Sequence, residues 1–199
     1  MVGTSHEEVR KIKEYALEKK VPIMQDEGID FLTTFLIKNQ IKSVLEIGTA
    51  IGYSAIMMAL SNPYVKITSV ERDEVRYLEA LKNIKKLHLD DRITLIFKDA
   101  LDLKLEEKFD LIFLDAAKSQ NINFFNLFSS NLNSEGYIIT DNLEFHGLVA
   151  KDEKEIKSRN VRGIVRKIKD YIRFLESNTS YETTFYKIGD GISVSKSKK

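Results

Sequence analysis

The sequence has no cysteine, which excludes disulfides, thiolate metal sites and cysteine nucleophiles together. No apolar run approaches the roughly 20 residues a membrane span needs. The longest lies around AIMMAL. The stretch MVGTSHEEVRKIKEYALEKK is charged and amphipathic and shows no apolar segment followed by a small-residue cleavage site, so a cytoplasmic protein is expected. Repeats and low-complexity tracts are absent apart from a short Lys/Ser tail. Net charge is small, +1, but unevenly spread: residues 157 to 173 carry seven Lys/Arg against one acid, Asp170. Taken alone, such a run is more often a solvated helix face than a nucleic-acid site.

What is present is 199 residues at 43% apolar composition, enough for the core of one domain over 1–199. Helical spacing over 5–20 (Val9, Ile12, Leu17) and 26–39 (Ile29, Leu32, Phe35, Leu36), interrupted at Pro22, predicts two N-terminal helices within 1–40. From 41 on, strands and helices alternate: strands at 43–47, 66–71, 92–97, 109–115 and 136–142, helices at about 53–60, 73–87 and over NFFNLFSSNL. The strand in GYIITDN is apolar until its polar end, as buried parallel strands are. A basic helix at about 157–176 precedes two β-like segments, TTFYKI and GISVSK, joined by the GDG turn at 189–191. The expected architecture is α/β, a doubly wound, mostly parallel sheet with an antiparallel C-terminal hairpin at one edge. In such sheets ligands sit at the carboxyl ends of the strands, where Glu46, Glu71, Asp99, Asp115 and Asp141 all fall.

VLEIGTAIGYSAIMMA, residues 44–59, reads as strand, glycine turn, helix. A dinucleotide turn requires G-x-G-x-x-G, but Ala50 stands at the middle place and Tyr53 at the third, and no Lys-Ser/Thr pair completes a P-loop. Glu46, two residues before Gly48, would repel a pyrophosphate and favours a ligand with positive charge. S-adenosylmethionine fits: a sulfonium and an ammonium for the acid, and a carboxylate for Ser54 and the helix N-terminus. Glu71, 23 residues after Gly48, is placed for ribose hydroxyls, and Asp99 for the adenine amino group. Each acid alone reads equally well as a helix-terminus stabiliser. Their shared strand-end placement favours a nucleoside cofactor.

EIGTAIGYSA, followed by SVERD, FLDAAKSQ and TDN, resembles the cation-dependent O-methyltransferase family that includes catechol and caffeoyl-CoA O-methyltransferases. The similarity runs from VPIM at 21–24 to the IGDG turn. Within the family, EIGTAIGYSA with DNLEFHG and SRNVR most resembles the bacterial tRNA 5-hydroxyuridine methyltransferases. The resemblance implies a Rossmann-like methyltransferase fold, a homodimer, and cofactor contacts from Met24, Glu46, Gly48, Ser54, Glu71, Asp99 and Asp115. It also implies metal ligands at Asp115, Asp141 and Asn142. These are all oxygen donors at strand ends, suited to a hard cation such as Mg²⁺. On the residues alone, caps and a turn are their commoner use.

Lys118 follows Asp115 by three residues. A lone loop lysine is usually solvated, but beside a bound cation its ammonium is disfavoured and a neutral fraction could take a proton. The resemblance makes Lys118 that base. The reaction implied is methyl transfer to a hydroxyl that shares the metal with a neighbouring oxygen. Catechols offer two such oxygens, and 5-hydroxyuridine offers its 5-hydroxyl and O4. One departure stands out: many relatives carry an aromatic three residues after the lysine, where this chain has Asn121.

For the acceptor, Arg159 and Arg162 share a face at the start of the basic helix, capped by Ser158 or Asn160, and could reach phosphates or stack on an anticodon-loop base. With the resemblance, tRNA is favoured over a small phenol. A non-enzymatic sensor of the cofactor is a third reading, for which the metal oxygens have no use. His6, His88 and His146 are isolated, and Phe124, Phe125 and Phe128 have the spacing of core residues.

Overall fold

The computed structural model describes residues 2–198, with side chains from residue 5 on. The chain has two compact units, one up to Leu103 and one from Lys104. No helix among the described residues is long and apolar enough to cross a membrane.

The N-terminal unit begins with α1 (Val2–Lys19) and α2 (Asp26–Lys38). Lys20, left-handed at φ 54°, ends the first helix before Pro22. In α2 the residues Ile29, Leu32 and Leu36 fall on one helical face and are buried. Three parallel strands follow in the order β3-β2-β1: β1 (Ser43–Ile47), β2 (Lys66–Glu71) and β3 (Ile93–Phe97). Between them run α3 (Tyr53–Ser61) and α4 (Glu74–Lys86). Asp73 caps α4 by accepting from the Arg76 N–H at 3.0 Å, and Lys85 and Lys86 complement its C-terminal dipole.

In the C-terminal unit β4 (Phe109–Leu114) pairs parallel with β5 (Leu132–Thr140), whose other edge pairs antiparallel with β7 (Ile192–Ser197). β7 in turn pairs with the edge strand β6 (Tyr181–Tyr186). The expected hairpin is therefore present, although β6 starts two residues before the TTFYKI segment. α5 (Asn121–Phe128) connects β4 to β5, and Phe124, Phe125 and Phe128 lie in the core as their spacing predicts. α6 (Arg159–Ser177) buries Val165, Ile168, Tyr171 and Leu175 at helical spacing. Its Tyr171 hydroxyl pairs with Thr140 Oγ1 at 2.7 Å, tying the helix to the end of β5. Burial pushes the Tyr171 pKa upward.

Candidate active site

All five strand-end acids lie where the sequence places them. Glu46 is the penultimate residue of β1 and Glu71 the last of β2, Asp99 follows β3 by two residues, and Asp115 and Asp141 directly follow β4 and β5.

In the N-terminal unit the glycine turn is built on left-handed backbone. Gly48 has φ 103°, Ala50 47° and Gly52 86°. Glycine supplies two of these positions freely, whereas Ala50 is strained and must be held. Glu71 holds it: Oε2 accepts from the Ala50 N–H at 2.8 Å, while Oε1 accepts from the Arg72 and Asp73 N–H groups at 2.9 Å each. A carboxylate has about four acceptor sites, so one remains for a ribose hydroxyl.

Glu46 is fully buried. Ser54 donates to its Oε1 at 2.5 Å and Ser69 donates to its Oε2. Because Ser69 spends its proton on Glu46, the 2.6 Å contact between Ser69 and Thr49 must have Thr49 as donor. Thr49, Ser69, Glu46 and Ser54 thus form one hydrogen-bonded chain beneath the turn. Sequence reading assigned Glu46 to the cofactor's positive charge and Ser54 to its carboxylate. In this structure the two meet each other, and Glu46 acts on the turn through Ser54 and Ser69. Ser69 was missed, its one signal being a polar residue on the buried side of KITSVE. Asp99 accepts from the Leu101 N–H at 3.0 Å and from Arg72 at 3.1 Å, and these two bonds hold its carboxyl below the usual carboxylate range. Met24 is buried, packed against Gly28 at the start of α2.

The C-terminal unit carries Asp115, Lys118, Asp141 and Asn142. Lys118 Nζ lies 2.8 Å from Asp115 Oδ1, both side chains being mostly buried. Asp141 is 2% exposed and takes a hydrogen bond from the Asn142 amide at 3.1 Å. Burial, then the Asp115 charge, push its pKa up to about 7; Lys118 and the Asn142 N–H pull the other way, and Asp190 adds to the rise. Among the described residues no three His, Cys, Asp or Glu side chains are gathered as a metal site, so a cation here would draw on two aspartates and an asparagine. The donor set fits a hard cation: all oxygen, with a buried carboxylate whose charged form is disfavoured by a like neighbour.

Asp190, which sequence reading passed over as part of a turn, is 5% exposed, and its Oδ1 accepts from the His146 N–H at 2.5 Å. Asn121 is 1% exposed, and neither polar atom of its amide has a partner among the described residues. It stands inside the fold, not as an exposed substrate wall.

On the basic helix, Ser158 is the cap, accepting from the Val161 N–H at 3.4 Å. Four of the seven cations of the basic run have partners within the chain. Arg162 donates to the Ile156 and Lys157 carbonyls at 2.6 and 3.1 Å, and Arg166 pairs with Glu153 at 2.7 Å. Lys169 reaches the Lys151 carbonyl at 3.4 Å and Arg173 pairs with Asp170 at 2.8 Å. Arg159 is exposed at the helix start. Arg159 and Arg162 are therefore unequal: the second spends donors on the loop ahead of its own helix.

The chain belongs to the O-methyltransferase family, whose model matches residues 3–198. The caffeoyl-CoA O-methyltransferase of Populus kitakamiensis is 28% identical over 95% of this chain and 86% of its own length. Among solved structures, a candidate caffeoyl-CoA O-methyltransferase from Staphylococcus aureus aligns with TM-score 0.91 and 34% identity, covering 95% of this chain and 91% of the other. The O-methyltransferase from Bacillus cereus, solved in complex with SAH, shares the fold at TM-score 0.81 and 23% identity, covering 96% of this chain and 91% of the other. The α/β Rossmann-like methyltransferase fold expected from the sequence is thereby established.

Proposed function

We propose that this chain is a cytoplasmic, divalent-cation-dependent methyltransferase that uses S-adenosylmethionine to methylate the 5-hydroxyl of a wobble 5-hydroxyuridine in tRNA, giving 5-methoxyuridine. The observation that carries the reading is the acid cluster of the C-terminal unit. There Asp141 is buried beside Asp115 with its charged form disfavoured, and Lys118 sits on the same Asp115.

S-adenosylmethionine supplies the electrophilic methyl group, and a divalent cation, when bound, lowers the pKa of the acceptor hydroxyl and orients it. Asp115, Asp141 and Asn142 would hold the cation. Lys118 would take the hydroxyl proton through its neutral fraction, formed by loss of an ammonium proton to solvent, a loss that a cation held beside it would favour. The backbone N–H groups of the first turn of α3, that of Ser54 among them, would receive the donor's carboxylate, while the Ser54 hydroxyl stays on Glu46. Glu71 would use its remaining acceptor site on a ribose hydroxyl, and Asp99 would face the adenine amino group. Arg159 supports the RNA acceptor as an exposed cation at a helix start.

A second reading, a small catechol-like acceptor, is favoured by the Populus relative and by the internal partners that absorb Arg162, Arg166, Lys169 and Arg173. Labelled methyl transfer decides between them, with tRNA containing 5-hydroxyuridine and free catechol offered in parallel, each with Mg²⁺ and with EDTA. Cation-dependent methoxyuridine supports the first reading. Catechol methylation with untouched tRNA moves the chain to the second, and transfer that survives EDTA refutes the cation role in both.

A further inference from the structure

We propose that Asp190 is a positioning residue for the cation site, holding the loop over 142–147 in place and adding a fixed negative charge behind the ligands. The inference rests on the cation reading above and goes beyond it to a residue 48 positions from the nearest ligand in sequence.

The loop has an improbable backbone. Asn142, Phe145, His146 and Gly147 are all left-handed, with φ of 64°, 46°, 56° and 74°. Three of these are not glycine, and such residues persist only where their surroundings over-determine them. The surroundings are two residues of the IGDG turn. The Leu143 N–H donates to the Gly191 carbonyl at 2.9 Å, the Glu144 N–H to the Asp190 carbonyl at 2.8 Å, and the His146 N–H to Asp190 Oδ1 at 2.5 Å. The approach is too close for a side chain at Gly191, where a Cβ would lie 2.7 Å from Glu144 Cγ and 2.8 Å from Glu144 N. Gly191 also has φ 85°.

The other carboxylate oxygen has a different part. Asp190 Oδ2 is buried without a hydrogen-bond partner among the described residues. The His146 Nδ1 lies 3.6 Å away on an imidazole that is 71% exposed, too far to bond. One oxygen therefore anchors the loop while the other is buried without a hydrogen bond, and the Asp190 carboxylate acts on Asp141 as a like charge. A cation beside Asp141 and Asn142 would be attracted by it. Removing groups that hold a metal's ligands in place from just outside them typically costs about 10–100-fold in affinity.

The test is calorimetric titration with Mn²⁺ of the full chain and of three variants, with near-UV circular dichroism as the check on folding. Asp190→Asn keeps an acceptor for the His146 N–H and removes the charge; about tenfold weaker Mn²⁺ binding is expected. Asp190→Ala removes both and should weaken binding further. His146→Ala leaves the backbone N–H intact and should bind as the parent does. Undiminished Mn²⁺ affinity in Asp190→Asn overturns the charge role, and an Asp190→Ala variant no weaker than Asp190→Asn overturns the anchoring role. Loss of affinity in His146→Ala contradicts anchoring through the backbone. Should the alanine variant fail to fold, Asp190→Asn alone carries the test. A parent chain that takes up no Mn²⁺ refutes the cation reading and this inference together, whereas parent binding with an unaffected Asp190→Asn refutes the inference alone.

Discussion

The acids of the two units differ in what surrounds them. Under the glycine turn, both oxygens of Glu46 accept serine hydroxyls and both oxygens of Glu71 accept backbone N–H groups. In the C-terminal unit Asp115, Asp141 and Asp190 have one lysine among them, and Asp141 is pushed up to about 7. An acid satisfied by its own protein fixes backbone and side chains, and removing it leaves donors stranded. An acid buried among like charges is costly as it stands and is relieved by a cation.

If that contrast is real, the largest effect lies with the cation ligands. Asp115→Ala and Asp141→Ala should each lower the initial rate of labelled methyl transfer by about a thousandfold, the several kcal/mol that Lewis-acid stabilisation supplies. A loss below tenfold would erase the contrast. Lys118→Met should cost on the order of 10²–10⁴-fold in kcat, the span typical of a lost general base, while leaving Mn²⁺ binding intact.

The opposite signature belongs to Glu46. Glu46→Ala leaves two buried serine hydroxyls without their acceptor and should destabilise the chain by about 2–4 kcal/mol in urea denaturation. Asp141→Asn should instead stabilise the cation-free chain at pH 8. The sign follows from linkage: the folded pKa of Asp141 lies above the ordinary aspartate value of 3.8, so the folded state holds the proton more tightly. The resulting stability is fully present below that ordinary value and is lost as pH rises through about 7, and Asp141→Asn should flatten the loss. Denaturant midpoints at pH 5 and pH 8 in EDTA measure it. The smallest effect is expected at Arg159→Ala, about a threefold rise in KM for tRNA that vanishes at high salt and is absent for catechol.

Much of this was legible in the sequence because apolar runs end abruptly in acids. SVLEI and KITSVE are the strands β1 and β2 residue for residue, and the apolar stretches before Asp115 and Asp141 place both carboxylates at strand ends. Polar stretches inside regular elements were harder to read. β5 begins at Leu132, four residues before the expected start, because Asn133, Ser134 and Glu135 look like a turn although they belong to the strand. The helix expected over NFFNLFSSNL starts earlier, at Asn121, and ends at Phe128 before a 3-10 turn. Partnerships across long separations left almost no trace. Ser69 lies 23 residues from Glu46 and Asp190 lies 44 from His146, and neither spacing repeats as a helix or strand period does. The inward hydrogen bonds of Arg162 were invisible for the same reason: a basic run states charge and leaves unstated which donors the chain itself consumes.

The central claim, that the acids following β4 and β5 are arranged for a cation, is tested most directly by Mn²⁺ calorimetry at pH 6 in buffers of different ionisation enthalpy. With Asp141 pushed up to about 7, most of its population is protonated at that pH, and binding should release close to one proton per cation. Asp141→Asn should bind far more weakly and release none. Mn²⁺ binding without proton release, or no binding by the parent chain, would contradict the account.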